Sequence, residues 1–154
     1  LAPGYRIGWV IPGRYKEQII RLKRMNNVST NTLAQSAIAL FLANGRYELH
    51  LRHLRKALHT QSLRYIQAIA EHFPEDTRMT RPGGGFALWL ELDRRLDSYA
   101  LHKRALKHGI GIAPGQIFSS SGKFANCFRI GFGIPWSSRI EGGIKTLGDL
   151  VAKY

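Results

Sequence analysis

The spacing of hydrophobic residues changes several times along the chain, and each change predicts a different element. Hydrophobic residues first alternate with other residues over 5–11, up to a Pro-Gly pair, which predicts a strand that ends at a turn. Helical spacing follows over 15–25 and again over 33–43, and polar residues at 29–32 offer N-caps for the second helix. The first third is therefore predicted to hold one strand and two helices.

The longest helical pattern begins at Tyr47 and repeats at steps of three and four residues as far as Phe73, where Pro74 ends it. We expect a domain boundary within this helix. Residues 1–45 are predicted to be the edge of an α/β sheet, and residues 46–154 the long helix with a smaller α+β domain. The outer face of the helix carries basic residues and histidines: His50, Arg52, His53, Arg55, Lys56, His59 and Arg64.

The second half alternates between strand and helix patterns. Residues 86–92 alternate as a half-buried strand, Asp97 can cap a helix that ends near His108, and 110–113 is a short apolar run typical of a strand. A further strand is predicted at 128–132. Ser138 and Glu141 together form a capping box, which predicts a last helix through Val151. The fold class predicted is α/β.

The composition narrows the class of protein without fixing its function. Lys and Arg number 23 against 10 Asp and Glu, for a formal charge of +13, which favours anionic partners but also fits a solvated basic face. Cys127 is the only cysteine, which agrees with a reducing cytoplasm and excludes a multi-cysteine zinc site. No run approaches the roughly 18 apolar residues of a membrane span. The first residues contain neither an initiator methionine nor a signal peptide, so we expect an internal cut.

Several motifs fail when their context is considered. The glycines at 83–85 precede a strand, so they do not suit a dinucleotide-binding loop. His50 and His53 lie among cations with no carboxylate beside them, which is a poor metal site. The serines at 119–121 lack the strand-turn-helix context of a reactive nucleophile. No catalytic residue and no metal site is predicted.

Two arginines are better candidates for a ligand site. Arg6 is flanked by Gly4 and Gly8, and its guanidinium suits a phosphate or carboxylate, although an arginine on an edge strand in water fits equally well. Arg129 is predicted to point away from the hydrophobic face of its strand. Its partner is either an anionic ligand or, in a structural ion pair, Glu91 or Asp93.

Four motifs in order resemble those of fold type I aminotransferases, which depend on pyridoxal phosphate. They are LAPGYRIGW at 1–9, PGGGFALW at 82–89, IAPGQIF at 112–118 and NCFRIGF at 126–132. The resemblance covers nearly the whole chain. It implies the C-terminal segment of that fold, with a remnant of the large cofactor-binding domain at 1–45, and with the connecting helix and the small domain at 46–154.

The resemblance also implies roles for the two arginines. Arg6 corresponds to the arginine that holds the cofactor phosphate, and Arg129 to the one that binds the α-carboxylate of an amino acid. The lysine that forms the imine with pyridoxal phosphate would lie a few residues before Leu1. We therefore expect this chain alone to be inactive and to bind no cofactor covalently.

Within the fold, the tail from GIPWSSR at 133–139 to TLGDL at 146–150 resembles the MocR branch of the GntR-family transcription regulators. Those proteins join a DNA-binding winged-helix domain to an aminotransferase-like domain. The resemblance implies a cytoplasmic homodimer that binds DNA through an N-terminal domain and responds to an amino-acid or amine effector. A catalytic aminotransferase remains the alternative. Direct nucleic-acid binding by this chain is a third reading, which rests on charge alone.

Overall fold

The structure is a computed structural model that describes residues 3–27 and 29–154. The chain divides into two units, Leu1–Arg52 and His53–Tyr154, and the long helix α3 (Arg46–His72) contains the dividing point. The description below takes each unit by itself.

The first unit is built from helices. Two 3-10 turns, Pro3–Tyr5 and Gly13–Tyr15, precede α1 (Lys16–Asn26) and α2 (Thr32–Ala43). The side chain of Asn31 caps α2 by accepting a hydrogen bond from the backbone N–H of Ala34 at 3.1 Å. Both predicted helices are thus confirmed to within a residue or two, and one of the polar residues expected to supply a cap does so.

The strand predicted over 5–11 is wrong. These residues form the end of a 3-10 turn and then irregular chain, and Arg6 has a backbone φ of 53°, in the left-handed region. Alternation by itself does not make a strand, because a strand is stabilised by hydrogen bonds to a neighbouring strand. Among the described residues of this unit no second strand is present to supply them.

The second unit contains a four-stranded antiparallel sheet of order β1-β2-β4-β3. Leu88 on β2 pairs with Ile130 on β4, and Leu90 pairs with Phe128, so hydrophobic residues of adjacent strands share one face. The elements of the unit after α3 are β1 (Arg78–Met79), β2 (Ala87–Glu91), α4 (Ser98–Leu106), β3 (Ala113–Pro114), β4 (Cys127–Gly131) and α5 (Ser138–Ala152).

The predictions for this unit need four corrections. The third strand is Ala113–Pro114, not 110–113, because only those residues reach the ladder of β4. The short strand β1 had no pattern long enough to predict it. Phe86 lies just before β2 and is exposed, although alternation placed it with the buried leucines. The cap of α5 is Ser137, whose hydroxyl accepts from the N–H of Ile140 at 3.4 Å, so the predicted Ser138 is the first helical residue instead.

The core of this unit lies on one face of the sheet, against the helices. Leu88, Leu90 and Phe128 have no exposed surface, and the ring of Phe73 stacks on that of Phe128 with centroids 6.4 Å apart. The helices α3, α4 and α5 contribute the remaining layer: Tyr65, Ala68, Ile69, Leu101, Ala105, Ile144, Leu147 and Val151. Within residues 3–27 and 29–154, no helix is long and apolar enough to cross a membrane.

Candidate functional site

The strand β4 separates hydrophobic side chains from a cation. Phe128 and Phe132 are buried, whereas Arg129 between them is exposed on the opposite face. Arg129 pairs with Trp89 on β2 and with Ala113 on β3, so it lies in the interior of the sheet rather than at its edge. The alternation that predicted this orientation from the sequence is confirmed for these residues.

An aromatic cluster of Trp89, Phe118 and Phe124 contacts the guanidinium of Arg129 through the ring of Phe118. Its Cζ atom lies 4.9 Å from the ring centroid of Phe118, within the range of a cation–π contact. The ring of Trp89 meets those of Phe118 and Phe124 edge-on, with both centroid distances at 5.5 Å. The guanidinium of Arg129 is therefore in contact with a ring and is also exposed, so that its N–H donors can reach an anion.

The two carboxylates that could have neutralised Arg129 do not do so. Asp93 pairs instead with Arg95 at 2.9 Å, and the hydrogen bond from Arg95 lowers the pKa of Asp93 to about 2. Glu91 lies opposite Cys127 in the ladder, and neither carboxylate forms an ion pair with Arg129 in the described part of the chain. Arg129 therefore presents its charge without an anionic protein partner there.

The segment beneath this cluster is the 3-10 turn Gly115–Phe118. A side chain at Gly115 would collide with the carbonyl oxygen of Phe124 and come within 2.8 Å of the carbonyl oxygen of Cys127, so only glycine allows this approach. Phe124 itself has a φ of 65°, a strained conformation for an aromatic residue. The turn and the loop before β4 are thus packed backbone to backbone.

Sequence reasoning found Arg129 but missed the aromatic cluster whose Phe118 ring contacts it. Trp89 could have been placed on the same side as Arg129, because both alternate with buried hydrophobic residues. The pairing of Trp89 with Arg129 depends on the register of β2 and β4, however, and no sequence pattern fixed that register. Phe118 and Phe124 come from irregular segments with no periodicity to read.

Arg6 lies in the first unit, after the turn Pro3–Tyr5. Its backbone N–H donates to the carbonyl of Pro3 at 3.2 Å, and its side chain is exposed, with no hydrogen bond or ion pair to the residues described. A cavity of about 190 Å³ lies beside the preceding residues and the first turns of α2. The cavity is lined by Gly4, Tyr5, Asn31, Leu33, Ala34 and Ala37.

Arg6 belongs to the first unit and Arg129 to the second, and each is a candidate anion site described by itself. Each has an exposed guanidinium with free donors, which is the chemistry that a phosphate or a carboxylate requires. Across residues 3–27 and 29–154 there is no cluster of three or more His, Cys, Asp or Glu side chains that could hold a metal ion.

Comparison with known proteins decides the family. The family model described as aminotransferase class I and II matches residues 1–137. The chain belongs to this family. The resemblance drawn from the four motifs is therefore confirmed, and the alternating helices and antiparallel strands are a segment of the aminotransferase fold. Members of the aminotransferase class I and II family use pyridoxal phosphate as their cofactor.

Individual relatives include both regulators and enzymes. The HTH-type transcriptional regulators YdcR and YjiR of Escherichia coli K12 are 38% and 36% identical to this chain over 151 residues, which is 98% of the chain and 32% of each relative. The crystal structure of the Pyrococcus horikoshii kynurenine aminotransferase superposes with a TM-score of 0.87 at 30% identity and covers 99% of this chain. The chain thus spans about a third of the length of the regulators that it matches.

Proposed function

We propose that this chain is the C-terminal part of the aminotransferase-like effector domain of a MocR-type, GntR-family transcription regulator. The regulators YdcR and YjiR, each similar along nearly the whole chain, support this function more than any single motif does. In this proposal residues 1–45 are the remnant of the large cofactor-binding domain. Residues 46–154 are the connecting helix and the small domain.

The observation that carries the ligand site is the unpaired cation on β4. Arg129 is held in the interior of a sheet, its guanidinium makes a cation–π contact with Phe118, and neither Glu91 nor Asp93 neutralises it. A planar fork in that position binds a carboxylate with two parallel hydrogen bonds better than lysine would. We therefore assign Arg129 to the carboxylate of an amino-acid effector.

Arg6 is the matching candidate for the cofactor phosphate. Its exposed guanidinium offers several N–H donors to a phosphate group, which is a doubly charged anion with several acceptor oxygens. Pyridoxal phosphate, when bound, supplies an electron-withdrawing ring to an amine attached to it. The contribution of this chain would be to hold the two anions, one at each arginine.

The partners follow from the class of regulator. We propose that DNA is bound by a separate N-terminal domain, that the intact protein is a cytoplasmic homodimer, and that an amino acid or amine is the effector. The 23 basic residues of this chain are then a solvated surface rather than a DNA-reading element.

The second candidate function is a catalytic aminotransferase that moves an amino group between an amino acid and a 2-oxo acid. The similarity to the Pyrococcus horikoshii kynurenine aminotransferase favours it, since 99% of this chain superposes on an enzyme. Turnover of an amino acid with a 2-oxo acid by the full-length protein would favour the enzyme. Ligand-dependent DNA binding without turnover would favour the regulator.

The two arginine assignments can be tested with a pair of probes in the full-length protein. Pyridoxamine 5′-phosphate carries the phosphate only, and N-(5′-phosphopyridoxyl)-L-leucine carries the phosphate and a carboxylate. We expect Arg6→Ala to weaken both probes by about ten- to a hundredfold, because it removes hydrogen bonds to a charged group. Arg129→Ala should weaken binding of the leucine conjugate alone, by a similar factor.

The control is Arg94→Ala, which removes an exposed arginine of the second unit that neither assignment uses. It should leave both affinities unchanged in a titration followed by calorimetry. Equal weakening of both probes by Arg129→Ala, or none, contradicts the carboxylate assignment. Unchanged affinity in a folded Arg6→Ala variant returns Arg6 to a surface role.

A further inference from the structure

The side chain of Gln116 uses all of its polar groups within the second unit. Its amide nitrogen donates to the Asp97 carboxylate at 3.0 Å and to the carbonyl of Ala125 at 3.4 Å. Its amide oxygen accepts from the hydroxyl of Ser98 at 2.9 Å, and that hydroxyl also accepts from the backbone N–H of Gly115 at 3.3 Å. One side chain thereby joins three separate segments.

These hydrogen bonds form a network that is partly buried, and a buried polar group without a hydrogen bond lowers the free energy of unfolding. Ser98 is completely buried, and a buried hydroxyl needs a partner because it has lost water. Asp97 is the N-cap of α4 and accepts from the N–H groups of Tyr99 and Ala100. Burial would raise the pKa of Asp97, but the hydrogen bonds from Ala100, Tyr99 and Gln116 lower it, so the carboxylate stays charged and a strong acceptor.

Gln116 and Phe118 lie in the same four-residue turn. The backbone carbonyl of Gln116 accepts from the N–H of Ser119 at 3.2 Å, which closes the turn around Phe118. The ring of Phe118 then rests on the guanidinium of Arg129, 4.9 Å away. The hydrogen bonds of Gln116 therefore hold the turn that carries this ring.

We propose that Gln116 is a positioning residue for Arg129, because it fixes the turn Gly115–Phe118 to the start of α4 and so keeps the Phe118 ring on the guanidinium. This inference rests on the proposed role of Arg129 in binding a carboxylate. A guanidinium held in contact with a ring has fewer orientations open to its donors before the ligand arrives. Without the ring, part of the binding free energy is used to order the side chain.

The test replaces the amide of Gln116 with an uncharged group of similar length. In the full-length protein, Gln116→Met should weaken binding of N-(5′-phosphopyridoxyl)-L-leucine by roughly three- to tenfold, which is typical of ordering one long side chain. Binding of pyridoxamine 5′-phosphate should stay within about twofold, because it has no carboxylate. The measurement is the ratio of the two dissociation constants by calorimetry.

The matched control is Gln67→Met, since Gln67 is an exposed glutamine on α3 and forms none of these hydrogen bonds. It should leave the ratio of the two dissociation constants unchanged. Phe118→Leu provides a second variant if the loss of the buried amide prevents folding. It removes the ring and leaves the network intact, and it should change the ratio in the same direction as Gln116→Met.

The outcomes separate this inference from the proposed function. If Arg129→Ala changes the ratio but Phe118→Leu and a folded Gln116→Met do not, the positioning role is overturned and the carboxylate site stands. If Arg129→Ala also leaves the ratio unchanged, the proposed function has failed first. Equal weakening of both probes by Gln116→Met, together with a lower Tm, would give Gln116 a purely structural role and overturn the proposal.

Discussion

The two units differ sharply in how much of their hydrophobic surface they bury. Among the described residues of Leu1–Arg52 only Ala34 is buried, while Trp9, Ile11 and Leu33 are each at least 80% exposed. The unit His53–Tyr154 has a continuous core whose central residues have no exposed surface. Both regions nevertheless contain helices of the expected length.

This difference shows that helices can form from local sequence, whereas a buried core depends on packing between distant residues. Helices form in both units, since their hydrogen bonds connect residues four apart along the chain. A stable core requires residues distant in sequence, and within residues 3–27 and 29–154 only the second unit has a sheet to provide them. Exposed hydrophobic surface of this extent normally marks an interface. We propose that the rest of the aminotransferase-like domain covers the first unit in the longer protein.

The largest expected effect comes from one pair of matched leucines. Leu147→Ala removes a side chain with no exposed surface from α5, and we expect it to lower the free energy of unfolding by about 2 to 5 kcal/mol. Leu33→Ala removes an 80% exposed leucine from α2 and should change it by less than about 0.5 kcal/mol. Urea denaturation of each variant provides the measurement.

A large decrease in the free energy of unfolding for Leu33→Ala would contradict this contrast between the units. It would mean that the first unit contributes to cooperative stability despite its exposure. A small loss for Leu147→Ala would have the opposite meaning, that the core of the second unit is loosely packed. Leu33 lies in the first turn of α2 and Leu147 in the interior of α5, but leucine and alanine are both good helix formers, so the change in helix propensity is small at either position.

The same contrast explains how much of the fold was predictable. The helices α1, α2, α3 and α4 were predicted to within a few residues, because their signals are local: period, cap and terminating residue. Residues 5–11 have as clear an alternation as 86–92, yet only the latter contain a strand. The difference is the neighbour β4, which lies about forty residues away in the sequence and left no sign in the alternation of 86–92.

The candidate site was predictable only in part, and for a related reason. Arg129 and Arg6 were identified from motifs, and the outward orientation of Arg129 followed from alternation. Its ring partner Phe118 and the positioning residue Gln116 lie on a turn whose placement depends on contacts with α4 and with the loop before β4. Those contacts connect residues 9 to 19 positions apart in irregular chain, where no periodic signal exists.

A smaller effect should distinguish two glycines of α5. A side chain at Gly148 would collide with the backbone carbonyl of His72 at the end of α3, so we expect Gly148→Ala to destabilise the second unit by about 1 to 3 kcal/mol. Gly142 has open space around the same position. Gly142→Ala should therefore stabilise by up to about 1 kcal/mol, because alanine favours the helix.

Thermal unfolding of both glycine variants measures this contrast directly. The opposite signs are the informative result, because helix propensity alone would stabilise both. If Gly148→Ala were neutral, the helices α3 and α5 would be able to separate slightly at no cost, and the close packing of the second unit would be less rigid than its burial suggests.

The smallest effect concerns the two helix caps and their dependence on pH. The pKa of Asp97 is lowered in the fold, so its charge stabilises above the ordinary pKa of 3.8 and this contribution is lost as pH falls below that value. Asp97→Asn keeps the cap but removes the charge. We expect it to cost about 0.3 to 1 kcal/mol at pH 7, and the difference from the unsubstituted protein to shrink as pH falls below 3.8. Asp93 contributes equally in both proteins, so its effect cancels from the difference in stability.

The matched change in the first unit is Asn31→Asp, which adds a charge to the start of α2, where Ala34 is the one buried residue among those described. It should leave the Tm unchanged at both pH values. Melting curves at pH 7 and pH 3 test both variants. A shift of the main transition by Asn31→Asp would show that the exposed first unit unfolds together with the packed second one, contrary to the contrast in burial.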